Sequence, residues 1–410
     1  MKAACVVALL LSMAVAAPAE TFDLHGFVTG GGAYTSGLAS WMRGGLGRFD
    51  TGGSAPDRGE SSAIGDLQLG VDWQPVSHIL VHAHGLSRAE PSENHGRRAG
   101  IVSAYVEADF DRGRNDFSLR AGQFFLGTSR ENTADLWSSP YTITYSALNS
   151  WIANEVRPVG VNAEWRLLTS SAVITTAITG FKNNDTMGAL LAWRGWTIGN
   201  RLSVYNEALP LPPLESLNTT FRGQRRDGTV PFESDLDGRI GYAARVRYSI
   251  PERFNIQFTR VDNRGDRLLH RGEYAWATDF NHIGAELHVR DTTVLAEWMS
   301  GRTTMGPTLI GVDANFYAAY GLVSQHAGRN RFSARLDVFQ TSDNRPVIAD
   351  RYDEHGRAWT FSWLYDVRAH WRAGAEFTQV TGTHTEAEEA DMPAAFDGRS
   401  YIIELRYSLK

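Results

Sequence analysis

The chain has 410 residues, and its 40 Lys and Arg residues against 46 Asp and Glu give a formal net charge of -6. This balance does not suggest nucleic acid as a partner. Forty glycines and 11% aromatic residues favour an all-β chain with many turns. After the N-terminal segment, no apolar run approaches the roughly twenty residues that a membrane-spanning helix requires, which excludes helical membrane insertion.

The N-terminal segment reads MKAACVVALLLSMAVAAPAE, in which Lys2 precedes an apolar run and the small residues APA at 17–19. This arrangement is typical of a secretory signal peptide. We therefore expect residues 1–19 to be removed and residues 20–410 to form one mature domain. Because Cys5 is the single cysteine, the mature protein is expected to have no disulfide and no thiol chemistry.

Alternation of apolar and polar residues dominates the rest of the chain and predicts β-strands. In residues 239–250, for example, Ile240 and Val246 fall on one face, while Arg245 and Arg247 fall on the other. Arginine at every second residue cannot face a dry core. The polar face is therefore predicted to line a wet lumen. Eighteen strands are predicted, at 22–34, 62–74, 77–88, 99–111, 115–126, 157–168, 171–182, 185–194, 196–207, 238–250, 253–263, 273–289, 291–301, 311–324, 328–341, 356–367, 369–382 and 399–410.

The weakest of these candidates are 22–34, 171–182 and 273–289, and sixteen strands are the alternative if weak segments merge. The predicted connections alternate in length, with short ones after even-numbered strands and long ones, such as 127–156, after odd-numbered strands. Only the hairpin at 183–185 breaks this rule. Short periplasmic turns and long outer loops are typical of outer-membrane barrels. Because lipid offers no hydrogen bonds, the sequence predicts an all-β, closed, transmembrane antiparallel β-barrel.

Over essentially the whole mature chain, this architecture resembles the Gram-negative outer-membrane porins. The stretch SSPYTITYSALNSWIANEVRPVGV at 138–161 is similar to the loop-to-strand passage of porins related to the phosphate-selective group. The resemblance implies passive diffusion of small hydrophilic solutes, often through homotrimers, by a protein in contact with outer-membrane lipid and lipopolysaccharide. Lysine occurs only at positions 2, 182 and 410. The lysine clusters of phosphate channels are thus missing, and phosphate specificity is not carried over.

The loop at 127–156 is predicted to fold back into the lumen and to narrow it, because a structureless loop of about thirty residues is expected to be functional. The alternative is an external loop whose aromatic residues pack on one another. The candidate constriction residues in and beside this loop are Glu131, Asp135, Trp137, Tyr141, Tyr145, Trp151, Glu155 and Arg157.

Strand parity places a second set of candidate pore-lining residues on the barrel wall. They are Arg120, Glu164, Arg166, Arg245, Arg247, Glu297, Arg335 and Glu376. Guanidinium groups stay charged at any relevant pH, so this wall is permanently polarised. One interpretation is that these residues form cross-strand ion pairs that stiffen a wet wall. The other is that an arginine cluster opposes Glu131, Asp135 and Glu155 of the loop and favours small polar or anionic solutes.

His82 and His84 share a strand face, and together with His282 and His288 they raise the question of a metal site. Since no carboxylate or cysteine ligand spacing accompanies them, hydrated lumenal histidines are predicted instead. The alternatives to a general diffusion channel are a substrate-specific channel for phosphate or oligosaccharide, an outer-membrane enzyme and an adhesin. A catalytic set cannot be read from strands, because its members converge in space and not in sequence. The prediction is a non-enzymatic channel without a cofactor.

Overall fold

The structure is a computed structural model, and it describes residues 20–53, 59–90, 94–221, 224, 228–232, 235–308, 310–345 and 353–409. The signal peptide predicted at 1–19 lies outside these residues. The described chain forms one closed antiparallel barrel of sixteen strands in which neighbours in sequence are neighbours in the sheet. The strands are β1 (Thr21–Ser36), β2 (Glu60–Val76), β3 (Ile79–Ala89), β4 (Ala99–Arg112), β5 (Asn115–Gln123), β6 (Val159–Leu168), β7 (Val173–Lys182), β8 (Gly241–Ile250), β9 (Phe254–Asp262), β10 (Trp276–Val289), β11 (Thr292–Met305), β12 (Val312–Ala327), β13 (Asn330–Asp343), β14 (Glu354–Arg368), β15 (Trp371–His384) and β16 (Ala395–Ser408).

The two faces of each strand follow the alternation in the sequence. On β8, Val246 points out of the barrel and is 52% exposed, whereas Arg245 points into the lumen and pairs there with Glu164. An apolar outer surface matches the acyl chains of a bilayer. The barrel closes where β16 pairs with β1, from Phe27 opposite Ser408 to Ser36 opposite Arg399. The sheet is therefore closed, as the sequence predicts.

The strand count is sixteen, the predicted alternative, and not eighteen. The three weak candidates are all present, as β1, β7 and β10. The predicted strands 185–194 and 196–207 are not strands. They belong to one loop, which contains the short helices α2 (Ala189–Trp193) and α3 (Glu215–Asn218). Every residue of α2 is buried, and a short apolar run that is buried on all sides has no period that separates helix from strand.

With this correction, the alternation of connection lengths holds throughout the barrel. The seven short turns, at one end that we call the turn end, are 77–78, 113–114, 169–172, 251–253, 290–291, 328–329 and 369–370. The eight loops, at the opposite or loop end, are L1 (37–59), L2 (90–98), L3 (124–158), L4 (183–240), L5 (263–275), L6 (306–311), L7 (344–353) and L8 (385–394). Of the helices in the described residues, none is long and apolar enough to span a membrane.

L3 lies inside the barrel, as predicted, and so does much of L4. L3 contains the helix α1 (Ala147–Glu155), all nine residues of which are buried. Trp151 of α1 lies between the loops and the wall, with its ring centroid 6.1 Å from that of Trp196 in L4. The same centroid is 5.5 Å from Phe280 on β10 and 5.3 Å from Phe316 on β12. The loop-end part of the lumen therefore holds an apolar core.

Candidate functional site in the lumen

L3 is attached to the wall through Arg335 of β13. Its guanidinium donates to Glu131 Oε1 at 2.7 Å, to the carbonyl of Thr144 at 2.7 Å and to the carbonyl of Tyr145 at 2.9 Å. On the wall itself, Arg335 Nε donates to Asp337 Oδ2 at 2.8 Å. All three charged side chains are buried. Arg335 faces the lumen as parity predicts, but it fastens L3 and does not present a free charge to water.

Two wall carboxylates complete this attachment by accepting from the backbone of L3. The N–H groups of Ile143 and Thr144 donate to Glu376 on β15 at 2.6 and 2.9 Å. Glu297 on β11 accepts from the N–H of Glu131 at 3.1 Å and from that of Arg130. A loop inside a barrel has no ladder for its own N–H groups, and buried donors require partners. Glu297 and Glu376 supply these partners.

The aromatic residues of L3 divide into two groups. Tyr141, Tyr145 and Trp151 are buried against other side chains. They therefore do not line the constriction, contrary to the prediction. Trp137 is only partly buried and stacks on Phe125 at a centroid distance of 4.2 Å. Trp137 is the predicted aromatic that borders an open cavity.

The acidic residues of L3 do not jointly face the wall arginines, because Glu131 alone of the three meets one of the arginines predicted on the wall. Glu131 binds Arg335. Asp135 lies 2.7 Å from His25 of β1. Glu155 accepts from the indole N–H of Trp151 at 2.5 Å and from the backbone N–H of Leu190 at 3.0 Å. The predicted opposition between these acids and wall arginines therefore holds for Glu131 and is corrected for Asp135 and Glu155, whose contacts tie L3 to β1, to L4 and to itself.

Burial also shifts the pKa of the two titratable residues near the end of L3. It raises the pKa of Glu155 to about 7, against the effect of the hydrogen bonds that this carboxyl accepts. It lowers the pKa of Arg157 to about 9. Arg157 donates to the carbonyls of Ala153 and Ser203 and lies over the ring of Phe232. Neither residue lines open space, contrary to the sequence prediction.

Arginines of β5, β6 and β8 on the lumenal face remain partly open to water. Arg120 pairs with Glu107, its direct cross-strand neighbour on β4. Arg245 pairs with Glu164, and Arg166 Nε lies 3.8 Å from the same carboxylate. This geometry is that of the first interpretation, in which cross-strand ion pairs stiffen a wet wall.

Two cavities at the turn end adjoin this wall. The larger, about 460 Å³, is lined by residues of β1 to β5 and by 124–137 of L3. The smaller, about 190 Å³, is lined by Arg120, Glu164, Arg245 and Arg247, and it shares residues 124–127 with the larger one. A third cavity of about 70 Å³ lies at the loop end beside L1, L2 and L4.

An apolar group, which we call the lumenal barrier, lies between the loop-end and turn-end cavities. It consists of Leu86, Val102, Tyr145, Ala153, Leu202 and Val204, with Phe125 and Trp137 packed against it. Leu86 and Leu202 line the loop-end cavity. Phe125 and Trp137 line the larger turn-end cavity. This group could not be predicted from the sequence, because Leu202 and Val204 fall in segment 196–207, which is predicted as a wall strand and belongs instead to L4.

The histidines singled out in the sequence do not form a group. His84 Nε2 lies 3.1 Å from Gln68, His282 Nε2 lies 3.2 Å from Glu297, and His288 Nε2 lies 2.8 Å from Glu286. His82 instead contacts Asp72 and lies near His25, although sequence spacing does not connect these residues. Each of the three side chains offers a potential metal-ligand atom within 4.8 Å of those of the other two.

No family model and no curated protein sequence matches the chain. Among solved structures, the outer membrane channel DcaP of Acinetobacter baumannii aligns with a TM-score of 0.55 at 11% identity, over 95% of this chain and 97% of that one. The anion-selective porin from Comamonas acidovorans aligns with a TM-score of 0.55 at 8% identity, over 95% and 100%. OmpT of Vibrio cholerae, in its trimer form, aligns with a TM-score of 0.51 at 9% identity, over 95% and 99%. The chain therefore has the closed antiparallel barrel fold of the Gram-negative outer-membrane porins.

Proposed function

We propose that the protein is an outer-membrane channel for passive diffusion of small hydrophilic solutes, with a mild preference for anions. The observation that carries this proposal is a closed barrel with an apolar outer face and charged, water-accessible cavities in its lumen. In this proposal, the signal peptide directs export and is then removed, and the short turns face the periplasm. The protein has no catalytic role and requires no cofactor.

The anion preference rests on the smaller turn-end cavity. Arg120, Arg245 and Arg247 line it together with the single carboxylate of Glu164. Among the neighbouring residues, Glu107 pairs with Arg120, and Arg166 lies near both Glu164 and Asp116, so the local excess of positive charge is one. Fixed charge at a narrow point of a pore sets its ion selectivity. An excess of one charge supports a mild preference and not a strict one.

The lumenal barrier is the reason to expect a narrow path for solutes through the barrel. L3 and L4 both occupy the lumen, and apolar side chains separate the polar cavities at its two ends. Apolar constrictions oppose the passage of ions because water leaves them readily. We therefore propose a smaller single-channel conductance than an open barrel of sixteen strands would have. This property also favours small solutes over oligosaccharides.

Reconstitution in planar bilayers tests the proposal. The purified protein should give stepwise conductance, and the reversal potential in a KCl gradient should show a modest anion preference. Arg120→Glu with Arg245→Glu should shift the preference toward cations. Arg302→Glu is the matched control, because Arg302 lies in an ion pair with Asp313 that is far more exposed. Folded protein without conductance would contradict the channel, and an unchanged reversal potential in the double variant would contradict the assigned selectivity site.

We also propose that the barrel assembles as a homotrimer within outer-membrane lipid and lipopolysaccharide. One of the similar structures, OmpT of Vibrio cholerae, is described in a trimer form, and three copies would cover part of the apolar outer face. Chemical cross-linking in native outer membranes should trap a species of three chains. Recovery of monomers alone from gently solubilised membranes would contradict this assembly.

A further inference from the structure

Four side chains from separate segments meet at the wall of the larger turn-end cavity. His25 lies on β1, Asp72 on β2, His82 on β3 and Asp135 in L3. Asp72 Oδ1 lies 2.6 Å from His82 Nδ1, and Asp72 Oδ2 lies 3.4 Å from His25 Nε2. On the opposite side of its ring, His25 Nδ1 lies 2.7 Å from Asp135 Oδ1. Asp72 thus stands between the two imidazoles, and Asp135 contacts the far nitrogen of one of them.

The backbone is shaped to bring these side chains together. Asp72 and His82 are direct cross-strand partners, so their side chains share the lumenal face. Gly70 is the partner of His25, and a Cβ atom at Gly70 would lie 2.4 Å from atoms of the imidazole. Only glycine at that position leaves room for the ring to lie over β2 toward Asp72. The cluster therefore depends on the strand pairing and on a residue without a side chain.

The donor atoms match those of a transition-metal site. Imidazole nitrogen and carboxylate oxygen are ligands for Zn²⁺ and related ions, and a set of three protein ligands leaves a further position open. His25 Nε2 is buried and has no hydrogen-bond partner. Its Nδ1 atom contacts a carboxylate, which is the arrangement that fixes the tautomer of metal-bound histidines. The nitrogen that faces Asp72 and His82 is then the one with a free lone pair.

We propose that His25, Asp72 and His82 bind a divalent first-row transition-metal ion in the lumen, and that Asp135 positions His25 for this role. This site goes beyond passive diffusion, because it gives the channel a specific ligand. The open position faces a cavity of about 460 Å³, which admits water or a solute. Arg120 lines the same cavity but is engaged by Glu107. Since Asp135 belongs to L3, metal binding also strengthens the attachment of L3 to β1, β2 and β3.

A second group of acidic residues serves as an internal comparison. Asp185, Asp235 and Asp237 also place carboxylate oxygens within 4.8 Å of one another. Asp235 is paired with Lys182 at 2.6 Å, and the carboxylate of Asp185 accepts from the backbone N–H of Leu236. Such a group contains only oxygen donors, which suit Ca²⁺ or Mg²⁺ better than Zn²⁺. Competition between Ca²⁺ and Zn²⁺ therefore distinguishes the two positions.

Isothermal titration calorimetry with ZnCl₂ tests the site on the refolded full barrel without a polyhistidine tag. We expect one equivalent of Zn²⁺ to bind, and a large excess of Ca²⁺ should not displace it. His25→Asn and His82→Asn should each weaken Zn²⁺ binding by at least about tenfold, the smallest loss expected when even a residue that supports a ligand is removed. His84→Asn is the matched control, since His84 lies on the same strand as His82 but contacts Gln68.

Three results would overturn the proposal. The first is that the wild-type protein binds no Zn²⁺. The second is that His25→Asn weakens the affinity for Zn²⁺ no more than His84→Asn does, and the third is that Ca²⁺ displaces the bound Zn²⁺. Heat-modifiable migration in gels checks that each variant is folded. If one histidine variant does not fold, the other still decides the question. Asp135→Asn gives an independent readout: it should weaken Zn²⁺ binding less than loss of a ligand, and it should increase protease cleavage of L3.

Discussion

Replacing Arg335 by methionine tests whether wall charges hold L3 in the lumen. The guanidinium is buried between Glu131 of L3 and Asp337 of β13, and it also donates to two carbonyls of L3. Methionine keeps much of the volume but leaves both carboxylates buried without a cation. Removal of one partner from a buried ion pair costs about 3–5 kcal/mol. We expect a loss of unfolding free energy of this size.

The matched control is Arg302→Met on β11. Arg302 Nη2 lies 2.5 Å from Asp313, but the arginine side chain is 54% exposed. An exposed pair contributes about 1 kcal/mol or less. Both variants lose one arginine from an ion pair with aspartate on the barrel wall. Arg302 is exposed on the outer face of β11, whereas Arg335 is buried against L3 in the lumen, so the pair of variants separates loss of the buried attachment from loss of an exposed ion pair.

Urea titration of protein folded into lipid vesicles, followed by tryptophan fluorescence, measures the two free energies of unfolding. Limited proteolysis of the folded variants should show new cleavage within L3 for Arg335→Met alone. Adding Glu131→Gln and Asp337→Asn should restore much of the lost stability, because the carboxylates that lack a cation are then neutral. If Arg335→Met and Arg302→Met lose equal stability and L3 stays resistant, the attachment of L3 does not depend on this buried charge network.

On β8, Val246→Arg should destabilise the barrel by about 2–4 kcal/mol because it places a charge on the lipid face, whereas Arg245→Gln should fold normally; urea titration in vesicles distinguishes them. Since burial raises the pKa of Glu155 to about 7, the folded state holds a proton that the unfolded chain has lost above its ordinary value of 4.5. Stability should therefore fall, by up to about 3 kcal/mol, as pH rises through this window. Glu155→Gln should remove this component from the pH dependence of unfolding. Leu86→Ala, in the lumenal barrier, should raise single-channel conductance in bilayers, whereas Leu295→Ala, which is buried outside the barrier, should not.

Strand faces could be predicted because the two solvents around a barrel wall differ so strongly. Val246 and Arg245 on β8 alternate in the sequence as they do in the structure. L4 could not be read in this way, since Leu190 and Trp193 are enclosed on all sides and carry no period. The short predicted connection at 183–185 is the exception to the alternation of connection lengths. This exception indicates that the two strands predicted after it are wrong.

The contacts of the site depend on features that periodicity does not report. Parity places Arg335 on the lumenal face, but its partners in L3 follow from how L3 folds. The meeting of Asp72 and His82 depends on a register shift between Trp73 and Val76. In a regular hairpin around the turn at 77–78, Asp72 would pair with the residue after His82, and the two side chains would point to opposite faces. The bulge therefore brings Asp72 and His82 together, and the alternation of residues in the sequence does not predict the bulge.

The apolar core inside the lumen gives the barrel an unusual thermodynamic character. The outer apolar surface stays covered by lipid or detergent, but the rings of Trp151, Trp196 and Phe316 are covered only by other parts of the chain. Unfolding exposes them to water, and apolar exposure raises the heat capacity. Calorimetry should therefore show a heat-capacity increment like that of a water-soluble domain. In this respect L3 and L4 resemble a small water-soluble domain that is enclosed by the barrel wall.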